Sequence, residues 1–199
     1  MKTEIEAKFI KIVKDDIRAR LQALSATLVH EERLMRRKTY DFPDRSLFNK
    51  RAYLRVRDEG DKVTTTIKCV EGEGVHGTKE LETVVGSFAD MCAIYEQLGL
   101  KEKSYKETKR EEWKLDGVIV TIDTWPWIEP FVELEGDNED ALHLVAQKMD
   151  LLWDDALFGT VEVVYQEKYD VSQEEINFWP EFIFSPVPEW LEEKRKKYD

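Results

Sequence analysis

The chain has 199 residues and a net charge of −12, from Lys+Arg 30 against Asp+Glu 42. That length suits one domain with a sizeable core, and that charge argues against sequence-independent binding to nucleic acid or to an anionic membrane, both of which need basic surface. No apolar run approaches the roughly 18 residues of a membrane span, and the charged start MKTEIEAK lacks an apolar signal core, so the expected location is cytoplasmic.

Residues 3–12 alternate strictly, with Glu4, Glu6 and Lys8 on one side and Ile5, Ala7 and Phe9 on the other, the period of a strand. Residues 13–26 change to helical spacing, Val13, Ile17, Leu21 and Leu24 sharing a face. Asp15 and Asp16 suit the positive end of that helix. Strands follow at 33–42 and at 52–58, the second running through the turn Glu59-Gly60-Asp61 into 62–70. A glycine-rich loop at 72–77 leads to a strand at 76–85. Residues 87–98 read as a helix opened by Ser87 and stopped by Gly99. Strands at 105–115 and 118–125 flank the turn Asp116-Gly117, and 131–136 is one more. Asp137 caps a helix to about residue 151. Residues 161–169 read as a last strand. The tail from 172 is aromatic, charged and broken at Pro180, Pro186 and Pro188. Short turns between neighbouring strands make the sheet antiparallel.

One face of nearly every strand carries long charged groups: Glu4, Glu6 and Lys8; Arg55 and Arg57; Thr64, Thr66 and Lys68; Glu80 and Glu82; Lys106, Thr108 and Arg110; Thr121 and Asp123; Glu133 and Glu135. The opposite face is apolar, and amphipathic helices can cover it. The charged face then lines an enclosed space, which is costly unless the charges pair or ligands neutralise them. Lys8, Arg55, Arg57, Lys68 and Arg110 suit a polyanion, since guanidinium donors bind two phosphate oxygens at once. The neighbouring carboxylates suit a hard divalent ion. Together these are the requirements of metal-assisted phosphoryl chemistry. The bland alternative, a solvated face with cross-strand salt bridges worth at most about 1 kcal/mol each, explains any single pair better than it explains all the strands.

In their order these motifs resemble the CYTH domain, also called the triphosphate tunnel metalloenzyme superfamily. Glu4-Ile-Glu-Ala-Lys8 is similar to its ExExK signature. Tyr40-Asp-Phe-Pro-Asp44, Leu54-Arg-Val-Arg57, Thr66-Ile-Lys68, Glu80-Leu-Glu82, Arg110, Asp123 and Glu133-Leu-Glu135 follow in the family's order. The resemblance spans about residues 1–170 and implies an α+β fold: an eight-stranded antiparallel β-barrel, or tunnel, with a charged interior and helices outside. Residues 171–199 have no counterpart and form an extension expected to pack on the barrel or on a partner subunit. The loop 125–130 also departs from the family pattern.

The resemblance implies Lys8, Arg55, Arg57, Lys68, Arg110 and, near the C-terminal end, Lys168 as phosphate ligands. It implies Glu4, Glu6, Glu133 and Glu135 as ligands of Mg²⁺ or Mn²⁺, with Glu80 and Asp123 completing the acidic lining. Glu6 and Lys8 stand at the reacting centre, and Glu82 is the carboxylate expected to activate water. The substrate is a small-molecule triphosphate, and the reading preferred is hydrolysis of tripolyphosphate or a nucleoside triphosphate. The alternatives are a class IV adenylate cyclase, a thiamine triphosphatase and a non-catalytic polyphosphate-binding module. A homodimer is compatible with the sequence. Cys69 and Cys92 show no metal-ligand spacing and read as reduced buried thiols. His30, His76 and His143 read as loop or surface residues.

Overall fold

The computed structural model describes residues 2–70 and 78–197, and the side chains of 5–69 and 79–197. The loop at 72–77, with His76, and the side chain of Glu4 lie outside the described residues. The elements in chain order are β1 Lys2–Phe9, α1 Lys14–Ala23, β2 Thr27–Asp41, α2 Ser46–Asn49, β3 Ala52–Asp58, β4 Val63–Val70, β5 Thr78–Val85, α3 Phe88–Gln97, β6 Lys101–Leu115, β7 Val118–Thr124, β8 Phe131–Gly136 and α4 Glu139–Lys148. A 3-10 turn at Trp153–Asp155 follows, then α5 Glu162–Lys168, α6 Gln173–Asn177, β9 Glu181–Phe182 and α7 Glu189–Glu192.

The first eight strands form one antiparallel sheet in the order β2-β3-β4-β5-β1-β8-β7-β6, and β2 also pairs with β6. That last pairing turns the sheet into a barrel. Two strands are longer than their alternation suggests: β2 begins at Thr27 and β6 at Lys101, each with 15 residues. Strict alternation in β1 ends at Phe9 rather than residue 12.

The outward face of β1, β7 and β8 is apolar and lies under α1 and α4. Ala7, Phe9, Val120, Ile122, Val132 and Leu134 pack there with Ile17, Leu21, Leu142, Val145 and Met149, all buried. Each of these side chains larger than alanine contributes about 1.5–3 kcal/mol on burial. Asn138, not Asp137, caps α4: its Oδ1 accepts from the Ala141 backbone N–H at 2.9 Å. Gly136 allows α4 to come close, because a Cβ there would lie 2.7 Å from Leu142 Cδ1. The α3 helix covers a second cluster, Tyr40, Val56, Cys92, Tyr95 and Leu100, and Ser87 caps it as the sequence suggests. Cover is uneven, since Leu81 and Val84 on β5 stay exposed. Both cysteines are free; Cys92 is buried and Cys69 half-buried.

Residues 161–169 are not a strand. Val161, Val164, Tyr165 and Tyr169 recur at helical spacing, and α5 forms with Val164, Tyr165 and Tyr169 buried. The β-forming character of Val and Tyr misleads here because burial against one surface decides the outcome. The tail then wraps the barrel. Trp179 and Phe182 pack with Trp125, Ile128, Phe131 and Tyr165, and β9 adds to β6 in parallel at Tyr105 and Lys106, next to the stretch where β7 pairs with β6. The Tyr165 hydroxyl donates to Pro126 O at 2.7 Å and that of Tyr169 to Trp127 O at 2.6 Å, so the loop 125–130 is held under the tail. Among the described residues no helix is long and apolar enough to cross a membrane.

Candidate active site

Inward-facing residues of the barrel strands line a cavity of about 300 Å³. Glu6 and Lys8 reach it from β1, Arg55 and Arg57 from β3, and Lys68 from β4. Glu80 and Glu82 come from β5, Arg110 from β6, and Glu133 and Glu135 from β8. Register places these side chains: Glu6 pairs with Glu135 and Lys8 with Glu133 across β1–β8, and Lys68 pairs with Glu80 across β4–β5. Alternation then aims each pair at the same interior.

The wall is an interlocked charge network. Lys8 Nζ lies 2.9 Å from Glu6 Oε1 and 3.3 Å from Glu133 Oε2, and it donates to Gly159 O at 2.7 Å. Burial alone lowers an ammonium pKa, but Glu133 and Glu6 outweigh it and hold Lys8 protonated. Burial likewise raises the Glu133 carboxyl, yet Lys8 and Arg110 overcome this and bring it down to about 2. Arg110 binds Asp123 through two hydrogen bonds, 2.7 Å and 2.6 Å, and approaches Glu133 at 3.4 Å. Arg55 and Arg57 meet Glu82 at 3.2 Å and 3.6 Å. Thr66 Oγ1 donates to Glu82 Oε2 at 2.7 Å, and against the upward effect of burial this bond and the two arginines keep Glu82 ionised below the usual carboxylate range.

Two site residues expected from the sequence lie elsewhere. Asp123 is 1% exposed and sits behind Arg110, orienting that guanidinium rather than facing the cavity. Lys168, at the end of α5, bonds Glu129 at 2.7 Å and does not line the cavity. Glu4 lies outside the described side chains. Arg37, Glu59 and Glu162, which the sequence pattern does not single out, also line the cavity, as does Lys106 from the charged face of β6. Arg37 falls in a run of basic residues whose inward member only the strand register reveals. Glu59 belongs to a turn, yet its buried carboxylate meets Arg57 at 2.6 Å and Arg33 at 3.4 Å.

As possible metal donors, Glu6, Glu133 and Glu135 share one wall on adjacent strands and offer only oxygen ligands, the chemistry that suits a hard divalent ion. Among the described residues no three acidic, His or Cys side chains converge to metal-binding geometry. The carboxylates point instead at Lys8, Lys68 and Arg110.

The CYTH domain model matches residues 2–154. Among curated proteins none matches the chain. Several solved structures share the fold. A conserved hypothetical protein from Pyrococcus furiosus is 23% identical, with a TM-score of 0.65 over 78% of this chain and 95% of that one. A candidate adenylate cyclase from Vibrio parahaemolyticus is 17% identical, with a TM-score of 0.70 over 83% and 98%. A candidate adenylyl cyclase from Hippeastrum with a dominant triphosphatase activity is 14% identical, with a TM-score of 0.57 over 89% and 95%.

Proposed function

Because the chain belongs to the CYTH domain family, we propose that it binds a linear triphosphate in the barrel and hydrolyses it with the help of a divalent metal ion. The observation that carries this reading is the convergence of Lys8, Arg55, Arg57, Lys68 and Arg110 with Glu6, Glu80, Glu82, Glu133 and Glu135 on one cavity. Solvated strand faces that merely exchange salt bridges have no reason to point inward together, where desolvation is costly.

In this account the five cations hold phosphate oxygens and offset charge that develops on them during cleavage. Arg55 and Arg57 approach from β3, Lys68 from β4, Lys8 from β1 and Arg110 from β6, so a phosphate chain would meet cations from several sides of the barrel. Glu6, Glu133 and Glu135, with Glu4, would hold Mg²⁺ or Mn²⁺. When bound, such an ion polarises phosphate oxygens and stabilises the leaving phosphate. Glu82, held ionised between Arg55 and Arg57, is the carboxylate that would orient the attacking water. Asp123 holds Arg110 in position.

The same lining also serves cyclisation, in which a ribose hydroxyl replaces water. Product identification with ATP and Mg²⁺ separates the two. ADP with orthophosphate is the expected outcome, whereas cyclic AMP with pyrophosphate would replace the hydrolytic reading by the cyclase one.

A further inference from the structure

Lys8, Arg55, Arg57, Lys68 and Arg110 each have a carboxylate within 4.0 Å. Two other buried cations of the cavity wall differ. Among the described residues neither Arg37 nor Lys106 forms an ion pair, although they are direct partners across the β2–β6 seam and are 9% and 8% exposed. Arg37 donates through Nη2 to Thr108 Oγ1 at 3.0 Å and lies 4.7 Å over the Trp125 ring, while its buried Nε has no acceptor. The Lys106 ammonium lies 4.4 Å from the Phe182 ring centre. Ser104, two residues before Lys106 on the same face, has a buried hydroxyl without a partner. From α5, Glu162 lines the same space, and its buried Oε2 is also unpartnered.

Like charges directly opposed across strands destabilise a sheet, and burial without counter-charge makes this worse. The carboxylates of the tunnel thus gather around one set of cations and leave the other set bare. An anion would satisfy Arg37 Nε, Lys106 Nζ and Ser104 Oγ together. Trp125 and Phe182 form the apolar backing, and α5, which carries Glu162, caps that end.

We propose that Arg37, Lys106 and Ser104 form a separate phosphate subsite at the end of the tunnel capped by α5, and that it receives the terminal phosphate of a linear chain of three. Two phosphates fill the carboxylate-rich region around Lys8, Lys68 and Arg110; a third reaches Arg37 and Lys106. The choice of a triphosphate rests on the function proposed above, but the subsite is defined by anion affinity and can be tested without turnover. Glu162 faces the bound phosphate and restrains its affinity, so neutralising this carboxylate has the opposite effect to neutralising the cations.

The test is calorimetric titration of metal-free protein with pyrophosphate and with tripolyphosphate, comparing wild type with Arg37→Gln, Lys106→Gln and Glu162→Gln. Lys148→Gln, at a surface pair with Asp116, serves as the control. Arg37→Gln and Lys106→Gln are expected to weaken tripolyphosphate by about tenfold or more while leaving pyrophosphate within about threefold. Glu162→Gln is expected to tighten tripolyphosphate. Equal losses for both ligands, no loss for either, or a Glu162→Gln loss matching that of Arg37→Gln would overturn the subsite. If Arg37→Gln does not fold, Lys106→Gln carries the comparison. Length-dependent binding in a protein that cleaves neither ligand with metal present would keep the subsite and reject the hydrolytic reading. Hydrolysis without length-dependent binding would do the reverse.

Discussion

Lys8 and Glu133 are cross-strand partners on β1 and β8, and their charged ends meet at 3.3 Å inside the barrel. The same ammonium holds Glu6 at 2.9 Å, so one cation pairs with two carboxylates in a buried wall. Removing it leaves Glu133 with Arg110 at 3.4 Å and Glu6 with Lys68 at 4.0 Å as their remaining cations. Lys8→Met is expected to destabilise the protein by about 3–5 kcal/mol, the usual cost of breaking a buried pair from one side. Urea denaturation measures this; a midpoint equal to wild type at unchanged slope would contradict the burial argument.

Glu133 is the carboxylate that both Lys8 and Arg110 approach. Glu133→Gln keeps the shape and removes the charge. Turnover should fall by about a hundredfold or more, as when one preorganised electrostatic group is lost. Steady-state assays on a variant with wild-type circular dichroism decide it, and near-normal turnover would remove Glu133 from the reacting centre.

Burial brings the Lys106 ammonium down to about 8, with Glu162 acting in the opposite sense and Arg37 reinforcing the fall. An unfolded lysine titrates near 10.4. Between these values the unfolded chain binds the proton and the folded chain does not, so this residue's contribution to stability rises with pH. At pH 7 the buried charge costs up to about 3 kcal/mol. Lys106→Met should therefore raise the melting temperature at pH 7 and lose that advantage by pH 10. A pH-independent difference would show that Lys106 is not the titrating group.

Phe182 is fully buried and contacts Trp125, Trp127, Tyr165 and Trp179. It ties the C-terminal segment to the barrel, so Phe182→Ala should cost about 3–5 kcal/mol. Differential scanning calorimetry tests this. A variant melting like wild type would show that the tail is dispensable to the barrel.

Much of this arrangement was legible in alternation alone. Glu6 and Lys8 share a face because a strand repeats every two residues, and the same rule places Arg55 with Arg57 and Glu133 with Glu135. Which strands neighbour one another was not legible, because pairing between β2 and β6 joins residues as far apart as Thr27 and Lys114. That pairing also decides which basic residue of the 33–38 run turns inward, and hence the place of Arg37. The α5 helix escaped because Val and Tyr favour strands, while its burial stripe, Val164, Tyr165 and Tyr169, follows a helical period. Glu162 and the cap it provides escaped with it. Lys168 was assigned a phosphate-binding role by its position near the end of the resemblance, but its ammonium bonds Glu129 instead.

The central claim is that the charged interior holds and cleaves a phosphate chain. A ³¹P NMR time course of tripolyphosphate with the purified protein tests it most directly, run with Mg²⁺ or Mn²⁺ and repeated with a chelator. The account predicts equimolar pyrophosphate and orthophosphate with metal, seen as signals growing in a two-to-one ratio, and none with chelator. An unchanged spectrum with both metals, in protein whose melting temperature tripolyphosphate raises, would contradict hydrolysis and leave a phosphate-binding barrel.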